Sequence, residues 1–447
     1  MNIKSYLPFY KRNLAIAIPV MLSQAGQVMV QLADNMMVGH VGTVELAAAS
    51  FAGSVFINGL IFGMGFTFGL TPLVGKAIGK NNFGEAGKLF KNGIFSNMVL
   101  AVVLTVLMFA VSFFMDRMGQ PEEVVRQAIP YYLVLVASMV PFLLFFSFKQ
   151  FAEGLGNTKT AMYITLFANV INIGLNYVLI YGKLGFPAYG LMGAGYATLI
   201  ARIIMPICFI YSFIKKDFFR QFLSLAHQSV LHTKQAWKLA KIGIPIGLQM
   251  LIEVLSFSLG SVMMGWLGEV PLAAHQIALG MASLTFMIIS GISSGTTIRV
   301  AHQFGAKSYE EMRFAAFASI HMVIAIMSVA AIAFVLLKDQ IPYLFTSDPQ
   351  VISVAASLIV IAAIFQVFDG IQVVSLGALR GLADVKIPMY FAFCCYIVVS
   401  LGISYLFAFV LGFGPRGIWF GFVGGLGLAA VLMITRFRKV SKKYVEG

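Results

Sequence analysis

The sequence predicts an all-α polytopic membrane protein: twelve transmembrane helices in two pseudo-symmetric six-helix lobes around a central cavity. Three observations predict it. Of 447 residues, 60% are hydrophobic and 11% charged, whereas soluble chains carry about 25% charged residues. The apolar residues gather in runs of about 20, the length that crosses a bilayer, without the alternation of a barrel strand. The second half of the chain repeats the first.

The runs lie near 14–38, 46–75, 93–115, 130–150, 160–182, 190–214, 239–264, 272–300, 316–337, 352–378, 387–411 and 416–435. Basic residues flank them on alternate sides. Lys11 and Arg12, Lys76 and Lys80, Lys88 and Lys91, Lys159, the cluster from Lys215 to Lys241, Lys307 and Arg313, Arg380 and Lys386, and the Arg436–Lys443 stretch all fall on one side. The other side holds only Arg117, Arg126, Lys183, Lys338 and Arg416. Lys and Arg concentrate on the cytoplasmic side. Both termini are therefore expected there, which requires an even number of spans. The same bias accounts for the net charge of +14 without a nucleic-acid partner. The first apolar run lacks a signal-peptide pattern. Cys208, Cys394 and Cys395 lie inside apolar runs and read as packing residues, not as a disulfide or metal framework. The expected location is the cell inner membrane, multi-pass, with the lipid bilayer as partner and a monomer as the expected state.

The repeat sets the domain plan. Pro19-Val-Met-Leu-Ser-Gln matches Pro245-Ile-Gly-Leu-Gln-Met at an offset of 226 (245 − 19), which also pairs Gly39 with Gly265, Gly69 with Gly295, Thr71 with Thr297 and Val74 with Val300. Further on, Glu153-Gly-Leu-Gly-Asn-Thr-Lys159 matches Arg380-Gly-Leu-Ala-Asp-Val-Lys386 at 227 (380 − 153). The expected parts are an N-lobe over 1–214, a linker over 215–238, a C-lobe over 239–435 and a basic tail over 436–447. Six spans per copy make the repeat parallel, with a cavity expected between the halves. Two lobes rocking about a cavity are the physical basis of alternating access.

Charges within the spans are few. Glu253 sits in the middle of the seventh run and Asp369 in the tenth. A charged side chain at that depth costs about 3 kcal/mol on insertion scales and marks an ion or substrate path. By the repeat, Glu253 stands where the first half has Gln27, and Asp369 where it has Phe142, so both charges belong to one half. Gln366 and Gln372, three residues either side of Asp369, share its helix face. Such oxygens can coordinate Na⁺; a carboxylate can equally hold a proton. In the first half the candidates are Asp34, Asn172 and Asn176 on the fifth span, and Thr198 on the sixth. Arg202 lies in mid-span and needs an anion or carbonyls beside it. His275 reads as a satisfied packing group in preference to a proton carrier.

No Gly-Lys-Ser/Thr phosphate loop or His-Glu-x-x-His pattern occurs, and the Gly-x-Ser-x-Gly match at Gly291–Gly295 lies inside an apolar run, without the strand-to-helix turn a nucleophile needs, so neither ATP-driven transport within this chain nor an intramembrane enzyme is expected. No cofactor is expected, and an ion gradient remains as the source of energy.

These residues together resemble the multidrug and toxic compound extrusion (MATE) family, in particular its NorM-like branch. The resemblance rests on Gly243-Ile-Pro-Ile-Gly…Glu253…Leu272-Ala-Ala-His-Gln276, on Gln366…Asp369-Gly-Ile-Gln372…Gly377-Ala-Leu-Arg-Gly381, on Asp34-Asn-Met-Met-Val-Gly39 and on Asn172-Ile-Gly-Leu-Asn176-Tyr. It implies a V-shaped pair of six-helix lobes and efflux of small cationic, amphipathic, often aromatic compounds in exchange for Na⁺ or H⁺. It assigns the cation site to Glu253 and Asp369, and in other branches to the position of Asp34 with polar groups on the fifth and sixth spans. Where the NorM-like pattern often has a tyrosine, this chain has Phe365, one oxygen fewer; where some relatives have an aspartate, it has Asn176. Na⁺ at Glu253 and Asp369 is the favoured expectation over H⁺, since two carboxylates in one lobe suit a metal cation. The alternative is a related flippase for a lipid-linked oligosaccharide or peptidoglycan precursor. Such flippases present a more cationic cavity, whereas the mid-membrane charges here are mostly acidic.

Overall fold

The computed structural model describes residues 6–446. Twelve helices long and apolar enough to cross a membrane follow one another: Leu7–Gly39, Thr43–Gly79, Phe83–Arg117, Glu122–Gly154, Thr158–Tyr181, Leu191–Lys215, Thr233–Leu267, Glu269–Gly305, Tyr309–Leu336, Pro349–Gly381, Lys386–Val410 and Pro415–Glu446. They are the first to twelfth spans below. No strand occurs among the described residues. The number and order are those the apolar runs predict. Most helices extend past the runs, because backbone hydrogen bonding continues into the polar interface. The stretch from Arg436 thus prolongs the last helix to Glu446. Between the sixth and seventh spans lies an amphipathic helix, Asp217–Gln228, with Phe219, Phe222 and Ala226 buried. Phe219 stacks on Phe213 at 4.5 Å. Lys91 Nζ donates to the Ser229 carbonyl at 2.6 Å and the His232 N–H donates to Asn92 Oδ1 at 2.9 Å, which ties this connection to the third span.

The chain forms two compact units whose limits differ from the sequence halves. One, the N-unit, is Leu22–Gly247; the other, the C-unit, joins the described residues up to Met21 to those from Leu248 onward. The first and seventh spans therefore change unit along their length, at places 226 residues apart (247 − 21). Each carries a proline two residues earlier, Pro19 and Pro245, where a helix loses a hydrogen bond and its previous turn is crowded. Packing inside each unit keeps the repeat. A Cβ on Gly69 would lie 2.9 Å from the Gly243 nitrogen, and the equivalent Gly295 faces Ala17 at 3.4 Å. Likewise Gly154 closes on Val74 at 2.8 Å and Gly381 on Val300 at 2.8 Å. The shared glycines are where helices approach without side chains between them.

One turn type recurs at the ends of the second, fourth, eighth and tenth spans. Asn81 (φ 55°), Gly156 (φ 87°), Lys307 (φ 60°) and Ala383 (φ 60°) are left-handed. In each case the next N–H bonds back five residues: Asn82 to Ala77, Asn157 to Ala152, Ser308 to Gln303 and Asp384 to Leu379, at 2.9–3.0 Å. This is the Schellman cap, which satisfies carbonyls at a helix end and prefers glycine. Lys307 and Ala383 carry a Cβ in a conformation that costs about 1–2 kcal/mol. Lys307→Gly and Ala383→Gly should each raise the thermal midpoint of the detergent-purified protein, and Gly156→Ala should lower it. A neutral Gly156→Ala would contradict this account of the turn.

Candidate functional site

In the C-unit, one face of the seventh span carries Gln249, Glu253 and Ser256, at i, i+4 and i+7. The tenth and eleventh spans answer it. Arg380 donates to Gln249 Oε1 at 2.9 Å and acts electrostatically on Glu253. The Tyr396 hydroxyl donates to Glu253 Oε1 at 3.3 Å, and Ser256 Oγ donates to the Tyr396 carbonyl at 3.0 Å. Tyr396 is buried within a π-helical stretch, Phe393–Ser400; such widened turns recur at functional sites. Asp369 is buried and feels the charge of Glu253. One turn to either side, Gln366 and Gln372 are fully buried, and neither amide oxygen nor nitrogen of either has a hydrogen-bond partner. Ser375 Oγ, further along, is in the same state. Buried polar atoms are almost always bonded, so these amides are open positions on the helix of a buried carboxylate; their two oxygens can accept a donor or a cation, and their two nitrogens can only donate. Among the described residues no three His, Cys, Asp or Glu side chains gather as a transition-metal site. The donor set is two carboxylates, two amides and hydroxyls, all oxygen on the coordinating side, which is what a hard cation takes.

Phe365 packs edge-on against Phe257 and Trp419, with ring centroids 6.0 and 5.4 Å apart. The position that lacks a hydroxyl is thus an aromatic wall, and Tyr396 brings a hydroxyl to Glu253 from another span.

In the N-unit, the Asn176 amide donates to Asp34 Oδ1, and to Asn172 Oδ1 at 3.1 Å. Both asparagines are buried. Arg202 acts electrostatically on Asp34. It donates to Ser138 Oγ at 2.7 Å and lies over the Phe142 ring at 4.5 Å and the Phe56 ring at 5.4 Å. Ser138 stands where the fourth span is interrupted, between Ala137 and Met139. Arg202, half-buried, therefore has a hydroxyl, two π faces and a carboxylate within electrostatic reach, which together offset the cost of a guanidinium at this depth. Thr198 is half-buried on the sixth span, outside these hydrogen bonds.

His275 is fully buried and doubly bonded. The Trp419 indole N–H donates to Nδ1 at 3.1 Å, and Nε2 faces Ser261 Oγ at 3.0 Å. An indole only donates, so Nδ1 accepts and the proton sits on Nε2. The ring is a neutral packing group, as the sequence suggests.

The structure brings together Glu253 with Asp369, and Asp34 with Asn172 and Asn176. Sequence reasoning missed Gln249, Arg380 and Tyr396. Gln249 shows a signal, its four-residue spacing from Glu253. Arg380 reads as a flanking charge, but the tenth helix runs to Gly381 and its side chain turns back along the seventh span. Tyr396 gives no signal: it contacts a residue 143 positions away.

Paired acidic sites inside repeated bundles of membrane-spanning helices are the equipment of a membrane transporter. The MatE family model matches residues 19–178 and 245–406, so the chain belongs to the MatE family, whose members are transporters and not enzymes. The two matches begin 226 residues apart (245 − 19), the offset of the internal repeat. Over 447 residues the chain is 33% identical to a probable multidrug resistance protein NorM of Mannheimia succiniciproducens, covering 98% of this chain and 95% of that one. It is 30% identical over 446 residues to the multidrug resistance protein MdtK of Yersinia pseudotuberculosis, covering 98% and 97%. Its fold is that of a multidrug resistance MATE family transporter of the MOP superfamily, at TM-score 0.90 and 23% identity, over 98% of this chain and 96% of the other. A eukaryotic MATE transporter shares it at TM-score 0.87 and 20% identity, over 98% and 99%.

Proposed function

We propose that the protein is a cation-coupled antiporter that exports small cationic, often aromatic compounds by alternating access. The observation that carries the coupling site is the unpaired amide set of Gln366 and Gln372 around Asp369, with Glu253 in electrostatic reach. The coupling ion enters there. Na⁺ is favoured, because the seat offers several hard oxygens where a proton needs one carboxylate. Arg380 and Tyr396 hold Glu253 between them, so its negative charge is oriented in the absence of a cation. Asp34 is a second acidic group, in the N-unit, with its oxygen already accepting from Asn176. The names of the relatives support multidrug efflux, and the acidic character of both sites suits cationic cargo better than a pyrophosphate-linked precursor. The charge bias of the loops supports a location in the cell inner membrane with both termini cytoplasmic, and the working unit is a monomer.

The test is accumulation of a fluorescent cation in cells that lack their own exporters. Expression should lower it several-fold, and collapse of both Na⁺ and H⁺ gradients should restore it. Unchanged accumulation of every cationic dye tried, alongside movement of a lipid-linked precursor, would favour the flippase.

A further inference from the structure

On the surface of the N-unit, an open apolar groove of about 610 Å³ runs between the third and seventh spans. Phe95, Val99 and Val103 form one wall at four-residue spacing, each about half exposed, and Trp237, 62% exposed, stands in the other. From Phe95 to Val103 is about 12 Å of helix, close to one leaflet of a hydrocarbon core about 30 Å thick.

The two ends of the groove differ. At one end it is walled by valines. At the other, Lys234 lines it. Lys238 and Lys241 follow at i+4 and i+7 on the same helix face, and Lys241 Nζ stands 5.6 Å from the Trp237 ring. Lys91 lies one turn before Phe95 on the third span and is held by the Ser229 carbonyl at 2.6 Å. Lys76 of the second span is within electrostatic reach of Lys80 and Lys238, and Glu85 is the acidic group that reaches it. Positive charge dominates this end. The indole of Trp237 occupies the border between the two, the level aromatic side chains take at a membrane interface.

We infer that the groove is a binding site for one anionic phospholipid, with an acyl chain along Phe95, Val99 and Val103 and its phosphate among Lys234, Lys238 and Lys91. An amphiphile of negative charge matches both ends at once. The lysines exclude the cationic compounds assigned to the transport path, and the apolar wall gives a soluble anion no purchase. Basic pockets between spans on one membrane face are recognised sites for anionic headgroups. The site is independent of both acidic sites and of which ion drives transport.

Quenching of tryptophan fluorescence by brominated lipids tests this in nanodiscs of phosphatidylcholine. Brominated phosphatidylglycerol should quench at a several-fold lower mole fraction than brominated phosphatidylcholine. Trp237→Phe, which leaves Trp266 and Trp419, should show no headgroup preference, which assigns the signal to the groove. Lys234→Gln and Lys238→Gln, both exposed positions, should each weaken the preference about fivefold, with gel filtration confirming folded protein. Equal quenching of Trp237 by both lipids, or a preference that survives both lysine substitutions, overturns the inference.

Discussion

Glu253→Gln and Asp369→Asn should each abolish gradient-driven efflux while the protein still folds and inserts. Both replacements keep size and an oxygen acceptor. The amide oxygen that Glu253→Gln introduces would still accept from Tyr396, and Arg380 would keep its bond to Gln249. Neutralising Asp369 removes repulsion from Glu253, so Asp369→Asn should not lower stability, whereas Glu253→Gln also takes a counter-charge from Arg380 and should lower it modestly. What goes is the charge that makes cation binding favourable. Linked sites typically exchange about 1–3 kcal/mol, a factor of roughly 5–150, and the variants should lose stimulation of that order. Transport in proteoliposomes, corrected for folded protein by gel filtration, reads it. Wild-type rates from both variants would remove the C-unit seat from the account.

Asp34→Asn should act differently, first on stability. Arg202 would keep Ser138 Oγ and the faces of Phe142 and Phe56 but lose its counter-charge. Breaking a buried ion pair from one side costs about 3–5 kcal/mol; Asp34 and Arg202 are both half-buried and act on one another electrostatically without an ion-pair contact, so the loss should be well below that. Efflux should fall as well, while Na⁺-dependent binding at the C-unit persists. The double variant Asp34→Asn/Arg202→Gln should recover most of the stability, since neither charge is then unpaired. Thermal unfolding of the two single variants and the double gives the coupling directly. If folded Asp34→Asn loses the Na⁺ response as fully as Glu253→Gln, coupling does not reside in the C-unit carboxylates alone.

Much of this was legible in the sequence because the bilayer is an unforgiving solvent. Length of apolar run gave the number of spans, and charge cost singled out Glu253, Asp369 and Asp34. The offset of 226 predicted a repeat that returns in the packing of Gly69 and Gly295 and in the caps at Asn81 and Lys307. The compact units were not legible. A continuous helix such as Leu7–Gly39 gives no local sign that its first turns pack with residues beyond Leu248. Pro19 and Pro245 mark the place only in hindsight. Nor was the inner shell of the seat. The bonds of Arg380 to Gln249 and Tyr396 to Glu253 span 131 and 143 residues, and helical periodicity reports faces, not which face meets which.

The most direct measurement is a Na⁺ jump on purified, reconstituted protein loaded with a fluorescent cation, at fixed pH and with the membrane potential clamped. The wild-type protein should release the bound compound, and Glu253→Gln should release none. Release on acidification alone, with Na⁺ inert throughout its working range, would contradict Na⁺ coupling and make the protein a proton antiporter.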